Sequence, residues 1–260
     1  MDWYYIKQGY ALITTTGQET GHWFGGEPYH SGAKCPVCKI PLLLLADIDC
    51  KQIRKTNDAK LFHSLDRLPL YYCWRCSAEH LTYIIVEPKR IKVLRNEGRK
   101  NPQDFPYENY PTAFPKRPVS LVPIEYSLAK ILAVYQEVDS DWLTEEDQEF
   151  VKKGIAGLRH SGFSLSDVNR HQLGGIVRLI QDHHSVGCPN PKCRRHKLFK
   201  DGDAVYMKEL AVLFNDPLSG LPMVESLQSL ENPSHWNEWV QVVYWICEEC
   251  LAIAASNRCD

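Results

Sequence analysis

The chain has 260 residues, 44% of them hydrophobic and 24% charged, with a formal net charge of -2. This balance gives no bulk-charge reason to expect a nucleic-acid or membrane partner. The apolar run around residues 42–46 is far shorter than the roughly 18 residues of a membrane-spanning helix, so this run is not expected to cross a membrane. The N-terminus carries Asp2 and has no apolar stretch before Gly9, unlike a signal peptide, so we expect a cytoplasmic protein.

Residues 1–88 are predicted to form the first half of the fold. In chain order this half contains Gly25-Gly26, the pair Cys35/Cys38, an apolar strand over 42–48, and a strand over 70–72 that enters Cys73/Cys76. Aromatic and β-branched residues before a cysteine pair favour a strand. A cysteine pair on a strand end is typical of a zinc ribbon.

Residues 89–125 are predicted to be a proline-rich basic linker or arm. Seven prolines lie from Pro88 to Pro123, and the early part carries six basic residues against Glu97 alone. Each proline fixes φ and removes a donor, so the segment is expected to be extended or irregular. Aromatic residues between the prolines suggest that the arm packs on the body of the protein.

Residues 126–260 are predicted to form a helical segment followed by the second half. Apolar residues at 128, 131, 132 and 135 have helical spacing, and Thr144 with Asp147 resembles the capping box that opens an acid-rich helix. The order of the first half then recurs as Gly174-Gly175, Cys188/Cys193, a strand over 204–214, and a strand over 242–246 that enters Cys247/Cys250. The predicted fold is therefore α+β, with two pseudo-repeated mixed sheet and helix halves.

Eight of the ten cysteines form four close pairs, two pairs in each half. The spacings are Cys-x2-Cys-x34-Cys-x2-Cys and Cys-x4-Cys-x53-Cys-x2-Cys, which predict two zinc-ribbon-like four-cysteine sites. A shell of four sulfurs leaves no position for water or substrate, so both zinc ions are expected to be structural. The predicted ligands are Cys35, Cys38, Cys73, Cys76, Cys188, Cys193, Cys247 and Cys250.

Three other interpretations of the cysteines are weaker. Disulfides suit small secreted proteins, whereas a chain of this size hides roughly three quarters of its unfolded surface and needs no covalent bridges. Cys35-Pro-Val-Cys38 would pass as a thioredoxin-like active site if it stood alone, but it is one of four cysteine pairs. A Cys-x4-Cys pair also fits redox chemistry badly. A zinc deaminase needs a His-x-Glu or Cys-x-Glu element, and Cys76-Ser-Ala-Glu79 is one residue too long. No other catalytic motif is present in the sequence, so we expect no enzyme.

Some residues stay open between roles. His183, His184 and His196 lie close to the third cysteine pair and either join a metal site or are surface polar residues. Cys50 and Cys259 are unpaired and are expected to be ordinary thiols.

Several motifs resemble a known family. Gly25-Gly26-x-Pro28, the Cys-Pro-x-Cys, the Leu-rich strand ending in Asp47-Ile-Asp49 and the segment from His171 to Gln181 resemble the YwqG-like domain of unknown function. The C-terminal strand and cysteine pair also resemble the related programmed cell death protein 2-like proteins. This resemblance implies tandem halves of mixed sheet and helix, and for the second group a chaperone role toward a small-subunit ribosomal protein. It implies no catalytic residue, and two full cysteine quartets depart from many YwqG-like chains.

The predicted function is that of a non-enzymatic, zinc-stabilised protein that binds one protein partner. An immunity protein that neutralises a bacterial toxin fits a compact binder without catalytic motifs. A chaperone for a basic client is the first alternative, because residues 137–149 are acidic and would complement such a client. A zinc-ribbon nucleic-acid-binding protein is the second, because two basic clusters lie at 89–100 and 192–197.

Overall fold

The structure is a computed structural model of the chain. It describes residues 8–16, 20–55, 59–75, 80–97, 111–124, 144–146, 148–149, 152–153, 171–175, 177, 179, 185–215, 221 and 240–259. The side chains of residues 258 and 259 are outside this description.

Within these described ranges, eleven strands and three labelled helices form the fold. The strands are β1 Tyr10–Thr14, β2 His22–Gly26, β3 Leu43–Asp49, β4 Arg67–Tyr72, β5 Leu81–Glu87, β6 Arg90–Asn96, β7 Phe114–Pro123, β8 Gln172–Leu173, β9 Lys208–Phe214, β10 Val240–Ile246 and β11 Ile253–Cys259. The helices are α1 Cys50–Ile53, α2 Lys60–Ser64 and α3 Arg194–Lys200. The protein is therefore dominated by β-structure, and the α part of the predicted α+β fold is small in these ranges.

All eleven strands belong to one sheet, in the order β4-β3-β2-β7-β1-β8-β9-β10-β11-β5-β6, and every strand pairing is antiparallel. The sheet curls so that its β4 edge meets β5. The Tyr83 hydroxyl on β5 donates to the Pro69 carbonyl at 2.8 Å and accepts from the Tyr71 backbone N–H at 3.1 Å. One buried phenol thus satisfies two backbone groups on the edge strand.

The sheet separates two hydrophobic clusters. The larger one lies inside the curl and takes side chains from most strands of both halves. The smaller one lies on the other side of β9 and β10, where Val212, Val243 and Trp245 pack with Val177 and Leu179. Because successive side chains of a strand point to opposite faces, β9 and β10 contribute to both clusters and are buried along nearly their whole length.

The strands β2-β3-β4 and β8-β9-β10 pair in the same order. Phe24 lies opposite Ala46 in the first set, and Leu173 lies opposite Ala211 in the second. Each set has one irregularity in the next pairing, immediately beside that alanine. Leu45 is skipped between β3 and β4, and Leu210 is skipped between β9 and β10. The two sets therefore share a register and a bulge position.

A histidine occupies the corresponding place in each set. His22 precedes Gly25-Gly26 by three residues, and its Nδ1 accepts a hydrogen bond from the backbone N–H of Asp49, the last residue of β3, at 3.0 Å. His171 stands in the same position before Gly174-Gly175, and its Nδ1 accepts from the N–H of Phe214, the last residue of β9, at 3.1 Å. Each histidine ring thus joins two strands of its half.

The segment predicted as a linker contributes two strands to the sheet, β6 and β7. Its Pro118 pairs with Trp23 and its Val122 with Ala11, so β7 joins β2 to β1. Of the predicted helices, the one over 128–135 lies outside the described residues, whereas residues 145–146, 148–149 and 152–153 are helical, as expected after Thr144. No helix in the described part of the chain is long and apolar enough to span a membrane.

Candidate metal centres and a polar network

The second cysteine group brings four sulfurs together. Cys188 Sγ lies 3.6 Å from Cys250 Sγ, and Cys193 Sγ lies 3.8 Å from Cys247 Sγ. All four sulfurs are within 4.8 Å of one another. Sulfurs bound tetrahedrally at about 2.3 Å from a zinc ion are about 3.8 Å apart, so this group could hold a metal ion.

The first cysteine group is described for three residues. Cys35, Cys38 and Cys73 place their sulfurs within 4.8 Å of one another, with 3.5 Å between Cys38 Sγ and Cys73 Sγ. This group could also bind a metal ion. Cys76, the predicted fourth ligand, lies outside the described residues.

Backbone geometry explains how one cysteine pair offers two sulfurs to one ion. In the first group the Lys39 N–H bonds to the Cys35 carbonyl, and in the second the Leu251 N–H bonds to the Cys247 carbonyl, at 3.1 and 2.9 Å. Lys39 and Leu251 are the non-glycine residues with positive φ in the described chain, at 63° and 57°. Such a left-handed residue turns the chain back after the second cysteine. Both pairs therefore adopt one knuckle conformation.

Hydrogen bonds to sulfur support the first group. The backbone N–H groups of Val37 and Cys38 donate to Cys35 Sγ, each at 3.4 Å. The side-chain amide of Asn96, the last residue of β6, donates to the same sulfur at 3.1 Å. Donors of this kind favour a thiolate over a thiol, which is the form that binds a metal.

The second group shares protons among its sulfurs. Hydrogen bonds to Cys247 and Cys250, together with burial, raise the pKa of the Cys188 thiol. Hydrogen bonds from Cys188 and Cys247 lower the pKa of Cys250 below its usual range. A metal ion takes the place of these protons, because cysteine ligates as the thiolate.

Ion pairs surround the second group. Arg195 and Lys208 both pair with Glu248, at 3.1 and 3.0 Å, and Arg194 pairs with Glu249 at 3.3 Å. These acids lie between Cys247 and Cys250, so the pairs tie the last knuckle to α3 and β9. Two of the five basic residues predicted as a nucleic-acid cluster are thereby engaged in ion pairs.

The remaining candidates have distinct positions. His196 is not among the grouped ligands; its Nδ1 contacts the Cys188 carbonyl at 2.6 Å and, as an N–H donor, steadies the backbone of a ligand. Cys50 is fully buried, and burial raises the pKa of its thiol to about 12, as expected of an ordinary thiol. His183 and His184 lie outside the described residues, and Cys259 ends β11.

The distances argue against disulfides among the described cysteines of the two groups. A disulfide joins two sulfurs at about 2.05 Å, whereas the measured separations are 3.5 to 3.8 Å. Cys35, Cys38, Cys73, Cys188, Cys193, Cys247 and Cys250 are all free thiols.

A buried polar network lies on β2, β3 and β4 of the first half. The Asp47 carboxylate is fully buried, and its two oxygens accept from Arg67 Nε at 2.9 and 3.0 Å. The Tyr29 hydroxyl donates to Asp47 Oδ2 at 3.0 Å. Burial lowers the pKa of Arg67, but the hydrogen bond and the charge of Asp47 outweigh it and raise that pKa above its ordinary value. The guanidinium of Arg67 is therefore held charged.

Arg67 also contacts an aromatic ring at the protein surface. Its Nη2 donates to the carbonyls of Gly21 and Asp47, and its Cζ lies 4.3 Å from the centre of the Trp23 ring. The ammonium of Lys116, on β7, lies 3.5 Å from the same ring centre. Two cations thus interact with one tryptophan.

Sequence reasoning missed this network and the two strand-joining histidines. A usable signal exists for the histidines, because His-x-[Phe/Leu]-Gly-Gly occurs at both 22–26 and 171–175. No comparable signal marks Asn96 or the pairing of Asp47 with Arg67, since these contacts join residues distant in sequence. Comparisons of the chain with family models, curated proteins and solved structures find no match.

Proposed function

We propose that this chain is a non-enzymatic protein-binding protein whose fold is stabilised by two structural zinc ions, and that it acts as an immunity protein neutralising a bacterial toxin by direct binding. The observation that carries the structural part is the second sulfur group. Its four sulfurs face one another within 4.8 Å, so a metal ion there has no open position for a substrate. Cys76 is proposed as the fourth ligand of the first group.

The proposal includes an internal duplication of the chain. It is supported by the shared pairing order, the shared bulge position and the two histidines that bond to the ends of β3 and β9. A duplicated scaffold that forms one continuous sheet offers a large, rigid surface, which suits binding of a partner with little rearrangement.

A chaperone for a basic client is the second candidate. Glu145, Glu146 and Glu149 are exposed in the helical stretch after Thr144, and only Glu149 forms an ion pair, with Lys153, among the described residues. This charge would complement a basic client. Nucleic-acid binding is less well supported, because Arg194 and Arg195 are already paired with acids.

The test is recovery of the partner from the native host. We expect the tagged protein, purified at moderate salt, to retain one protein in stoichiometric amount. Co-expression of that partner alone and with this chain then separates the candidates. A partner whose toxicity disappears supports immunity, whereas a basic protein that becomes soluble supports chaperoning. Recovery of nucleic acid, or of no protein, would contradict both.

A further inference from the structure

The helix α3 contacts both cysteine pairs of the second sulfur group. It begins directly after Cys193, which is its N-cap residue, so one candidate ligand adjoins the helix itself. Its side chains reach the segments that carry the other three, Cys188 on one side and the pair Cys247 and Cys250 on another. One seven-residue helix therefore connects all four ligand positions.

A hydrogen bond from α3 fixes the backbone of Cys188. The Nδ1 atom of His196 lies 2.6 Å from the Cys188 carbonyl oxygen. Because a carbonyl oxygen only accepts, Nδ1 carries the proton and donates it to this bond. The carbonyl belongs to the ligand residue, so this bond also restricts the direction in which the Cys188 side chain leaves the backbone.

An aromatic ring of α3 packs against the residue before this ligand. A Cβ atom added to Gly187 would lie within 2.6 Å of three carbons of the Phe199 ring. A glycine is therefore required for so close an approach. Gly187 also forms a bridge with Tyr206, and the rings of Tyr206 and Phe199 meet edge to face at 6.0 Å. The segment that carries Cys188 is thus held by α3 and by the chain that enters β9.

Two arginines of α3 hold the opposite cysteine pair. Arg195 pairs with Glu248 at 3.1 Å and Arg194 with Glu249 at 3.3 Å, and both acids lie within the last knuckle. The Arg195 side chain is 20% exposed and also donates to the Tyr206 carbonyl at 2.8 Å, whereas the Arg194 side chain is 76% exposed. Solvent weakens the Arg194 pair more, so Arg195 is the firmer restraint.

Such restraints affect metal binding because the four sulfurs become like charges when they bind. Cysteine ligates a metal as the thiolate, and the four sulfurs lie within 4.8 Å of one another. A backbone that already holds them at this separation loses less conformational entropy when the ion arrives. Residues that orient metal ligands in this way control metal affinity without touching the metal.

We propose that His196 and Phe199 are positioning residues, which set the metal affinity of the second sulfur group by holding the backbone of Cys188. The inference rests on the proposed structural metal ion and adds the residues that control how tightly it is bound. It gives the histidine at Cys-x2-His spacing from Cys193 a role beside the ion instead of on it.

The test uses the full chain loaded with cadmium-113, a soft divalent ion that thiolates bind in place of zinc. Nuclear magnetic resonance of the metal gives one signal for each group, and correlation with the Hβ protons of the cysteines assigns it. His196→Leu has no donor for the Cys188 carbonyl, whereas His196→Asn offers an amide donor near the place of Nδ1. The matched control, Lys197→Leu, makes the same replacement at the next position of α3, which is exposed.

We expect His196→Leu to shift the cadmium signal of the second group and to lower its affinity about tenfold in competition with a chelator. His196→Asn should keep most of that affinity, and Lys197→Leu should keep all of it. The signal and the affinity of the first group should be the same in every variant.

Gly187→Ala tests the ring contact separately. Its Cβ atom overlaps the Phe199 ring, so we expect the same cadmium signal to shift and the affinity of the second group to fall. Adding Phe199→Leu makes room for the new methyl group and should recover part of the loss. Unchanged affinity in Gly187→Ala would remove Phe199 from the proposal, and this pair of variants decides the question if His196→Leu does not fold.

Three results would overturn the inference and leave the proposed metal site intact. They are wild-type affinity of the second group in His196→Leu, an equal loss in Lys197→Leu, and a loss of the same size in both groups, which would mean a general loss of stability. A loss that His196→Asn does not reduce would also overturn it. A wild-type protein whose second group binds no cadmium would contradict the proposed metal site itself.

Discussion

Corresponding strand positions in the two halves hold side chains of different chemistry. In the second half, the face of β9 and β10 outside the curl carries Val212, Val243 and Trp245 in the smaller cluster, together with the buried polar residues Gln241 and Glu209. In the first half, Asp47 occupies the position on β3 that Val212 occupies on β9, opposite Trp23 in place of Gln172. A buried ion pair of Asp47 with Arg67 thus stands where the second half has Val212 and Gln241.

This difference separates strand positions that pack mainly apolar side chains from strand positions that hold a buried ion pair. Apolar burial stabilises by about 25 cal/mol per Å², whereas a buried ion pair is often no better than apolar residues of similar volume. The network of Asp47, Arg67 and Tyr29 therefore gains little for the fold relative to the second half. What it does provide is a tryptophan ring held against Arg67 and Lys116 beside the exposed ring of Tyr29.

The largest effect is expected at the second sulfur group, where we propose a structural metal ion. Cys247→Ser removes one sulfur of the group and would leave the proposed ion three-coordinate in a buried site. Structural zinc supplies roughly 10 to 16 kcal/mol of apparent folding free energy in small fingers, so we expect loss of the folded protein or aggregation. Circular dichroism and size-exclusion chromatography measure this directly.

Metal content checks the same expectation without a mutation. We expect two zinc ions per chain in reduced, freshly purified protein by mass spectrometry of the metal, and unfolding when a strong chelator removes them. Fewer than two ions per chain would contradict the two-site proposal. Cys50→Ser serves as the matched control, because Cys50 is buried but is not part of either group.

A smaller loss of stability is expected when the buried ion pair of the first half is disrupted at Asp47. Asp47→Ala leaves Arg67 Nε and the Tyr29 hydroxyl without their acceptor and removes the negative charge beside the guanidinium. We expect a loss of about 3 kcal/mol in the free energy of unfolding, the lower end for a broken buried pair, because Arg67 is 25% exposed and water can reach it. Urea denaturation measures the change.

A double variant supplies the control. Asp47→Val with Arg67→Gln introduces the residues that stand at the corresponding places of the second half, Val212 and Gln241. We expect it to recover much of the stability lost in Asp47→Ala, since neither charge is then left without a partner. A double variant as unstable as Asp47→Ala would show that the two halves do not tolerate each other's side chains.

A smaller effect is expected at Asn96. Asn96→Ala removes the amide donor to Cys35 Sγ but leaves the sulfur group and the backbone donors in place. Mutation of a residue that hydrogen-bonds to a metal ligand typically weakens metal affinity by 10- to 100-fold, and we expect a loss near the lower figure here. Competition with a chromogenic chelator measures it, and unchanged affinity would remove Asn96 from the site.

Sequence patterns predicted some levels of this structure better than others. The four strand segments that border the cysteine pairs are strands, because apolar runs and close cysteine spacing are local signals. The single sheet was not predictable, because pairings such as β11 with β5 join residues more than 160 positions apart. The composition of the proline-rich segment predicts a linker, yet β7 lies between β2 and β1, since a proline is compatible with a strand where it replaces no ladder donor. The contact of Asp47 with Arg67 also depends on strand pairing, and no local sequence pattern predicts it.

The smallest expected effect concerns pH and His22. Burial lowers the pKa of His22, and its Nδ1 accepts a hydrogen bond that a protonated ring could not accept. As the pH falls, the unfolded chain therefore takes up this proton first, at its ordinary pKa of about 6.5. The contribution of His22 to stability is complete above that pH and declines below it.

His22→Asn, whose amide oxygen can accept from Asp49, should reduce the loss of unfolding free energy between about pH 7.5 and about pH 5.5. Proton uptake by the cysteine groups occurs in both proteins and cancels in the difference. Equal pH dependence in wild type and His22→Asn would mean that this strand-joining ring does not sense protons.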